Sequence, residues 1–348
     1  MKKGKKLISL LSMILISTLA VGCNKETNIK SKKEIKIGVT LYRQDDVFIS
    51  TITKNLEEIA KENENNSKSK ITLDVVDAKG SIINQGNQVD KFINQDYDVI
   101  CVNLVDRTAA ATIIDKAKSA NIPLIFFNRE PVEEDMNRWD KIYYVGAQAE
   151  QSARMQADII IDQWLSKKDL IDKNKDNKIQ YVMLEGELGH QDASIRTEYC
   201  IRAITEKEIQ VEKLADDSAN WQSDQSISKM NQWIKKFGDS IEVVFSNNDS
   251  MALGAIHAIN SSNEFTNKPL VVGIDGIKEA MESVKKGEMT GTVISDANAQ
   301  AKAIFDISLA VSTGKNLEEI EGIKDKKYIK IPHTKITKDN VDSYIDNK

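Results

Sequence analysis

Residues 172–183, DKNKDNKIQYVM, place oxygen-bearing groups at alternate positions: Asp172, Asn174 and Asp176, then Lys178 through its backbone carbonyl and Gln180 through its amide. This is the donor spacing of a loop that wraps calcium, a hard cation that takes six to eight oxygen ligands. Two positions depart from the pattern. The sixth, usually glycine, is Asn177, which tolerates a left-handed turn better than most residues. The twelfth, where a bidentate glutamate closes such a site, is Met183. Either the carboxylate comes from elsewhere in the chain, or the segment is a solvated loop of Asp, Asn and Lys.

A second group of reactive side chains recurs just after short apolar runs. RQDDVF follows VTLY, NREP follows LIFF, and ELGHQDASIR follows YVMLEG; NND follows VVFS, and Asp275 follows VVGI. Carboxylates, amides, an imidazole and guanidinium groups in such positions can bind a polar ligand from several sides.

The elements that carry these groups alternate. Strand-like runs IKIGVTLY, ITLDVVD, DVICVNL and PLIFFN are separated by helical patterns, such as 49–63 with Ile52, Leu56, Ile59 and Ala60 on one face. A second series, IQYVMLEG, IQVEKLA, IEVVFSNN, PLVVGID and GTVISD, has helices near 193–207, 222–237, 250–260 and 277–286. Strand–helix alternation predicts parallel sheets covered on both faces, and two series predict two α/β lobes. A helix at 297–312 and a strand KYIKIP follow, so the chain is expected to cross between the lobes several times and form a hinge beside a cleft. Ligands of open parallel sheets sit beyond the carboxyl ends of the strands, where the polar clusters fall. Gln180 and Glu242 both stand at strand starts, hence at the opposite edge. Glu242 is therefore placed to supply the carboxylate that Met183 cannot, and such a calcium ion would be structural.

The chain has 348 residues, 41% hydrophobic and 29% charged, enough for two soluble domains, and its formal charge of −5 gives no reason to expect nucleic acid. MKKGKK followed by LISLLSMILISTLA reads as a signal peptide over 1–22, too short in its apolar part to favour a spanning helix. LAVGC then presents Cys23 as a lipidated mature N-terminus, an anchor to the cell membrane, with a polar tether through residue 34. Cys101 and Cys200 read as buried free thiols. Asp45 and Asp249 are placed to cap the helices that follow them.

Several long stretches resemble the bacterial galactose/glucose-binding proteins of ABC importers: GVTLYRQDDVFIS, VNLVDRTAAATIIDKA, FFNREP, YYVGAQ, GELGHQDASIRTEY, IEVVFSNNDSMALGAI and GTVISDANAQAKAIFDI. The resemblance runs from about residue 35 to 345. It implies a periplasmic-binding-protein type I fold, with 35–147 and 297–328 in the N-terminal lobe and 148–296 and 329–348 in the C-terminal lobe. It also implies one calcium ion held by Asp172, Asn174, Asp176, Lys178, Gln180 and the distant Glu242. Carried over position by position, the sugar site comprises Asp46, Phe48, Asn128, His190, Asp192, Arg196, Trp221, Asn248 and Asp275. Ser295 stands where the family usually has a sugar-binding asparagine, which puts one hydrogen bond and the sugar preference in question. The implied role is delivery of D-galactose, D-glucose or a methyl galactoside to a permease and ATPase, by a monomer without catalytic activity. Another monosaccharide, or sugar sensing for chemotaxis, is the alternative within this fold. A sugar-responsive regulator would need a DNA-binding helix-turn-helix where the signal peptide and tether stand. A glycosidase would use a pair of carboxylates, as Asp46, Asp192 and Asp275 invite, but charge-assisted bonds on all sides suit binding without turnover.

Overall fold

Among the described residues, six strands form each of two sheets, and the two sheets repeat one strand order. The computed structural model describes residues 34–66 and 70–345. The signal peptide, Cys23 and the tether up to residue 33 lie outside the described residues. The strands are β1 (Glu34–Leu41), β2 (Lys70–Asp77), β3 (Val99–Val102), β4 (Leu124–Phe127), β5 (Ile142–Ala147), β6 (Lys178–Glu185), β7 (Gln210–Ser218), β8 (Val243–Ser246), β9 (Leu270–Val272), β10 (Gly291–Ser295), β11 (Tyr328–Ile331) and β12 (His333–Thr337). The first sheet runs β11-β5-β4-β3-β1-β2 and the second β12-β10-β9-β8-β6-β7. All neighbours are parallel except β10 and β12.

The central strands VICV, LIFF and VVFS are buried at every residue. That is why they read as continuous apolar runs: helices cover both faces of each sheet. In the first lobe, helices Val47–Asn66 and Ala297–Thr313 pack on one face, with Ile49, Ile52, Leu56, Ile304 and Phe305 buried among β-strand side chains. The other face buries Val89, Phe92, Ile113 and Ile114 from the helices between β2 and β4. In the second lobe, Ile160, Trp164, Cys200 and Ile204 cover one face, and Met230, Trp233, Met251 and Ile256 the other. Cys101 and Cys200 are buried free thiols in separate lobes.

The chain crosses between lobes three times: after β5, after β10, and between β11 and β12. These connections lie side by side, since Ile331 pairs with Ala147 and Ser295 with His333. The last crossing corrects the expected boundary. Residues 329–331, placed by the sequence in the second lobe, run in the first sheet beside β5, and the chain changes lobe at Pro332. A short antiparallel edge strand, β12, then completes the second sheet. Only His333 and Ile336 in it are buried, so it offers no continuous apolar run.

Candidate functional site

The carboxyl ends of the strands from both lobes meet at one cleft. Its lining comprises Tyr42, Asp46, Phe48, Ile49, Asn128 and Arg129 from the first lobe and His190, Asp192, Arg196, Trp221, Asn248 and Asp275 from the second. Nine of the ten residues expected there are thus brought together. Tyr42, Ile49 and Arg129 were not anticipated, although Tyr42 and Arg129 stand at the same strand ends as Asp46 and Asn128.

Each side chain is held by local chemistry. Asp46 caps the helix Val47–Asn66: its Oδ1 accepts from the Ile49 amide at 3.0 Å, and its Oδ2 accepts from the Tyr42 hydroxyl at 2.5 Å. The capping role expected of Asp45 therefore belongs to Asp46. Asp45 is turned outward onto Arg43, two residues away, where a two-pronged ion pair holds it. Asn128 has φ of 60° and Trp221 φ of 65°, both left-handed, and Asp275 has φ of 124°. Such backbone states are costly for residues with side chains and aim them away from the strand direction. Asn128 is further fixed by the buried Asn103, whose Nδ2 donates to the Asn128 Oδ1 at 3.1 Å, leaving the Asn128 amide N–H₂ for the cleft.

In the second lobe, His190 Nδ1 accepts from the Asp192 amide at 3.1 Å, so the ring proton sits on Nε2. Burial, reinforced by Arg129, Arg196 and Arg107, holds the His190 pKa well below its ordinary value, and the ring is neutral. It stands edge-on to Trp221, with 5.0 Å between ring centroids. Arg196 donates to the Asn247 carbonyl at 2.8 Å and lies 3.5 Å from Asp192 and 3.9 Å from Asp275; its Nε is buried without a partner. Burial raises the pKa of Asp192 and, more strongly, of Asp275, and Arg196 opposes both shifts. Asn248 caps the helix Asp249–Asn260 through Met251, and its Nδ2 donates to the Trp221 carbonyl at 3.3 Å. Asp249 therefore does not cap this helix. It is fully buried and accepts from the amides of Gly276 and Ile277 and from the Thr292 hydroxyl, fixing the turn that carries Asp275.

Ser295 is not among the lining residues. Its hydroxyl accepts from Gln300 Nε2 at 3.1 Å, within the crossing to the helix Ala297–Thr313. The short side chain is taken up by a glutamine one turn along rather than reaching the cleft.

The arrangement suits a saturated ring with apolar C–H faces and a rim of hydroxyls. Phe48 and Trp221, one from each lobe and both 8% exposed, offer apolar faces. Carboxylates accept, while Asn128, His190 and Arg196 donate.

The loop 172–180 lies between the helix Ala149–Ile171 and β6, at the sheet edge away from the cleft. Asn177 adopts φ of 66°, as a left-handed sixth position requires. Asp172 accepts from the amides of Asp176 and Asn177, and Asp176 from the amide of Lys178. Glu242 reaches into the loop from the start of the neighbouring strand: its two oxygens accept from the amides of Lys173 at 2.7 Å and Gln180 at 2.9 Å. Burial raises the Glu242 pKa, and Asp172 adds to the rise. Gln180 Oε1 is buried without a hydrogen-bond partner. Among the described residues no group of three or more His, Cys, Asp or Glu gathers as a metal cluster. Half of the expected donors, however, are amide or backbone oxygens, and the orphaned Gln180 oxygen beside Asp172, Asp176 and Glu242 fits a hard cation.

Residues 37–316 match the family described as periplasmic binding protein domain. The D-galactose/methyl-galactoside binding periplasmic protein of Haemophilus influenzae is 37% identical over 89% of this chain and 92% of its own. The xylitol-binding protein of Mycolicibacterium smegmatis is 31% identical over 90% of this chain and 80% of its own. A solute-binding protein of an ABC transporter from Bacillus halodurans, solved with myo-inositol, superposes with a TM-score of 0.74 at 27% identity, covering 91% of this chain and 99% of that one.

Proposed function

The chain belongs to the periplasmic binding protein family, whose members are extracytoplasmic transport components without catalytic activity, and from that premise we propose that it captures D-galactose or D-glucose between its lobes. It then presents the sugar to the permease and ATPase of an ABC importer. The observation that carries this reading is the cleft itself: an aromatic side chain from each lobe, with Asp46, Asn128, His190, Asp192, Arg196 and Asp275 around them. The 37% identical relative is named for galactose and methyl galactoside. Each hydroxyl of a pyranose would meet a buried charged or amide group. A sugar lacking one hydroxyl would leave that group unpaired, which penalises it strongly. Methyl galactosides are included as ligands.

A second monosaccharide or polyol is the competing reading, favoured by one feature: Ser295 is bonded to Gln300 and supplies no side chain to the cleft. Calorimetric titration against galactose, glucose, methyl galactoside, ribose, xylitol and myo-inositol separates the two. We expect galactose or glucose to bind at micromolar affinity or tighter, about −8 kcal/mol or stronger. A tighter complex with xylitol, ribose or inositol overturns the assignment.

We also propose a structural calcium site in which Asp172, Asn174, Asp176, the Lys178 carbonyl, Gln180 and Glu242 hold the ion. Bound there, calcium would neutralise the buried Glu242 and tie the loop to the start of β6. Cys23 is proposed as the lipid anchor to the cell membrane, with the two lobes acting as a tethered monomer. Among the described residues no helix is long and apolar enough to cross a membrane. Replacing Cys23 by Ala should release the protein from the membrane fraction; retention would argue against the anchor.

A further inference from the structure

Arg129 joins the lobes. Its guanidinium lies over the Tyr42 ring, 3.7 Å from the centroid, and its Nη1 donates to the Val105 carbonyl at 2.8 Å. Both partners belong to the first lobe. Its Nη2 donates to Glu187 Oε2 at 2.6 Å, and Glu187 belongs to the second lobe. Arg129 is almost fully buried, whereas the Glu187 side chain is 42% exposed. Arg129 also lines two spaces at once: the ligand cleft, and a more open groove lined by His190, Asp192 and Glu187 as well. It stands between the two.

These contacts are of two kinds. The stacking on Tyr42 and the bond to Val105 are internal to one lobe and persist whether or not the lobes meet. They fix the guanidinium in advance, so little freedom remains to be lost when Glu187 arrives. The ion pair, by contrast, exists only when the lobes are together. An interaction present in one of two conformations shifts the population toward that conformation. We propose that Arg129 and Glu187 form a closure latch, which sets how long the cleft stays shut rather than which ligand it recognises. The proposal rests on the reading of the cleft as a ligand site between moving lobes. Glu187 does not line the ligand cleft, so changing it leaves the ligand's own contacts in place.

The test uses the full mature chain with one dye on each lobe, so that energy transfer reports closure, and stopped-flow release of D-galactose and D-glucose. Glu187→Gln keeps the shape and removes the charge; Glu187→Lys reverses it. Both should lower the closed population without sugar. Glu187→Gln should shorten ligand residence about two- to fivefold, and Glu187→Lys tenfold or more, mainly through release. Because Glu187 is partly exposed, salt should erode the advantage of the wild type and leave Glu187→Gln unaffected. Variants that close and release like the wild type at low salt overturn the latch. A wild type that binds neither sugar, but whose closure still depends on Glu187, supports the latch and overturns the sugar assignment.

Discussion

Gly186 lies against the face of Trp221: a Cβ at Gly186 would stand 2.1 Å from the indole ring, far inside van der Waals contact. The glycine directly follows β6, its amide donates to Asn247 Oδ1 at 3.0 Å, and its missing side chain is the space the tryptophan occupies. Gly186→Ala should therefore push the ring into the cleft. We expect a cost of about 1–3 kcal/mol, typical of overpacking, with sugar affinity reduced at least tenfold in a fluorescence titration. Unchanged affinity would mean that Trp221 can move aside without consequence.

Removing the ring itself should act in the same direction. Trp221→Ala is expected to weaken sugar binding by about 2–4 kcal/mol, from lost apolar contact and a wetter cleft. The sugar-induced change in tryptophan fluorescence should largely disappear. Equal affinities would take Trp221 out of the site.

Asn103 tests positioning at a distance. It is fully buried and bonds both the Phe127 carbonyl and the Asn128 side chain. Asn103→Ala should free the Asn128 amide to rotate and weaken sugar binding by about 1–2 kcal/mol. It should also lower the melting temperature, because the buried Phe127 carbonyl loses its side-chain donor. A lower melting temperature with unaltered affinity would show that Asn128 does not depend on it.

Glu242→Gln should weaken calcium binding and abolish most of the rise in melting temperature that calcium gives. Sugar affinity in excess calcium should change little, since the loop and the cleft lie at opposite strand ends. The pH dependence has a definite sign. Burial raises the Glu242 pKa, calcium requires the ionised carboxylate, and protons therefore compete. The calcium-dependent stabilisation should begin to fall at a pH above the ordinary glutamate value of 4.5. Stabilisation that is flat down to that value would contradict Glu242 as a ligand.

Two histidines should shape acid stability. Burial lowers the pKa of His190 and brings that of His333 to about 3. Below pH 6.5 the unfolded chain takes up protons that the folded chain refuses, so stability is lost as pH falls from about 6.5 and continues to be lost toward the folded values. His333→Gln should flatten the melting-temperature profile between pH 6.5 and 5. An unchanged slope would assign the acid sensitivity to other groups.

The sequence carried the layout well where physics writes it locally. Buried parallel strands are apolar from end to end, and polar clusters directly after VTLY, LIFF and VVFS mark the edge where ligands gather. What it could not carry were relationships made by tertiary proximity. Ser295 looked available for a ligand because nothing in VISDAN shows that Gln300 reaches back to it. Arg129 stood in NREP among the polar groups after LIFF, but its link to Tyr42 and Glu187 was hidden, because neither is its neighbour in the chain. The choice between Asp45 and Asp46 as cap turns on one residue of register, where a two-residue ion pair with Arg43 decides the outcome. β12 was missed because a short antiparallel edge strand, HTKIT, with only His333 and Ile336 buried, lacks the signature of the central strands.

The passage from β11 to β12 bears on how the molecule comes to be folded at all. Both sheets take their outermost strand from one ten-residue stretch, 328–337, so neither lobe is finished by the residues that precede it. A chain emerging from the ribosome, or entering a translocation channel, carries two open sheet edges until that stretch arrives. Such long-range closure slows folding, because loop entropy must be spent before the final pairings form. The stretch 328–337 thus joins the completion of one lobe to that of the other.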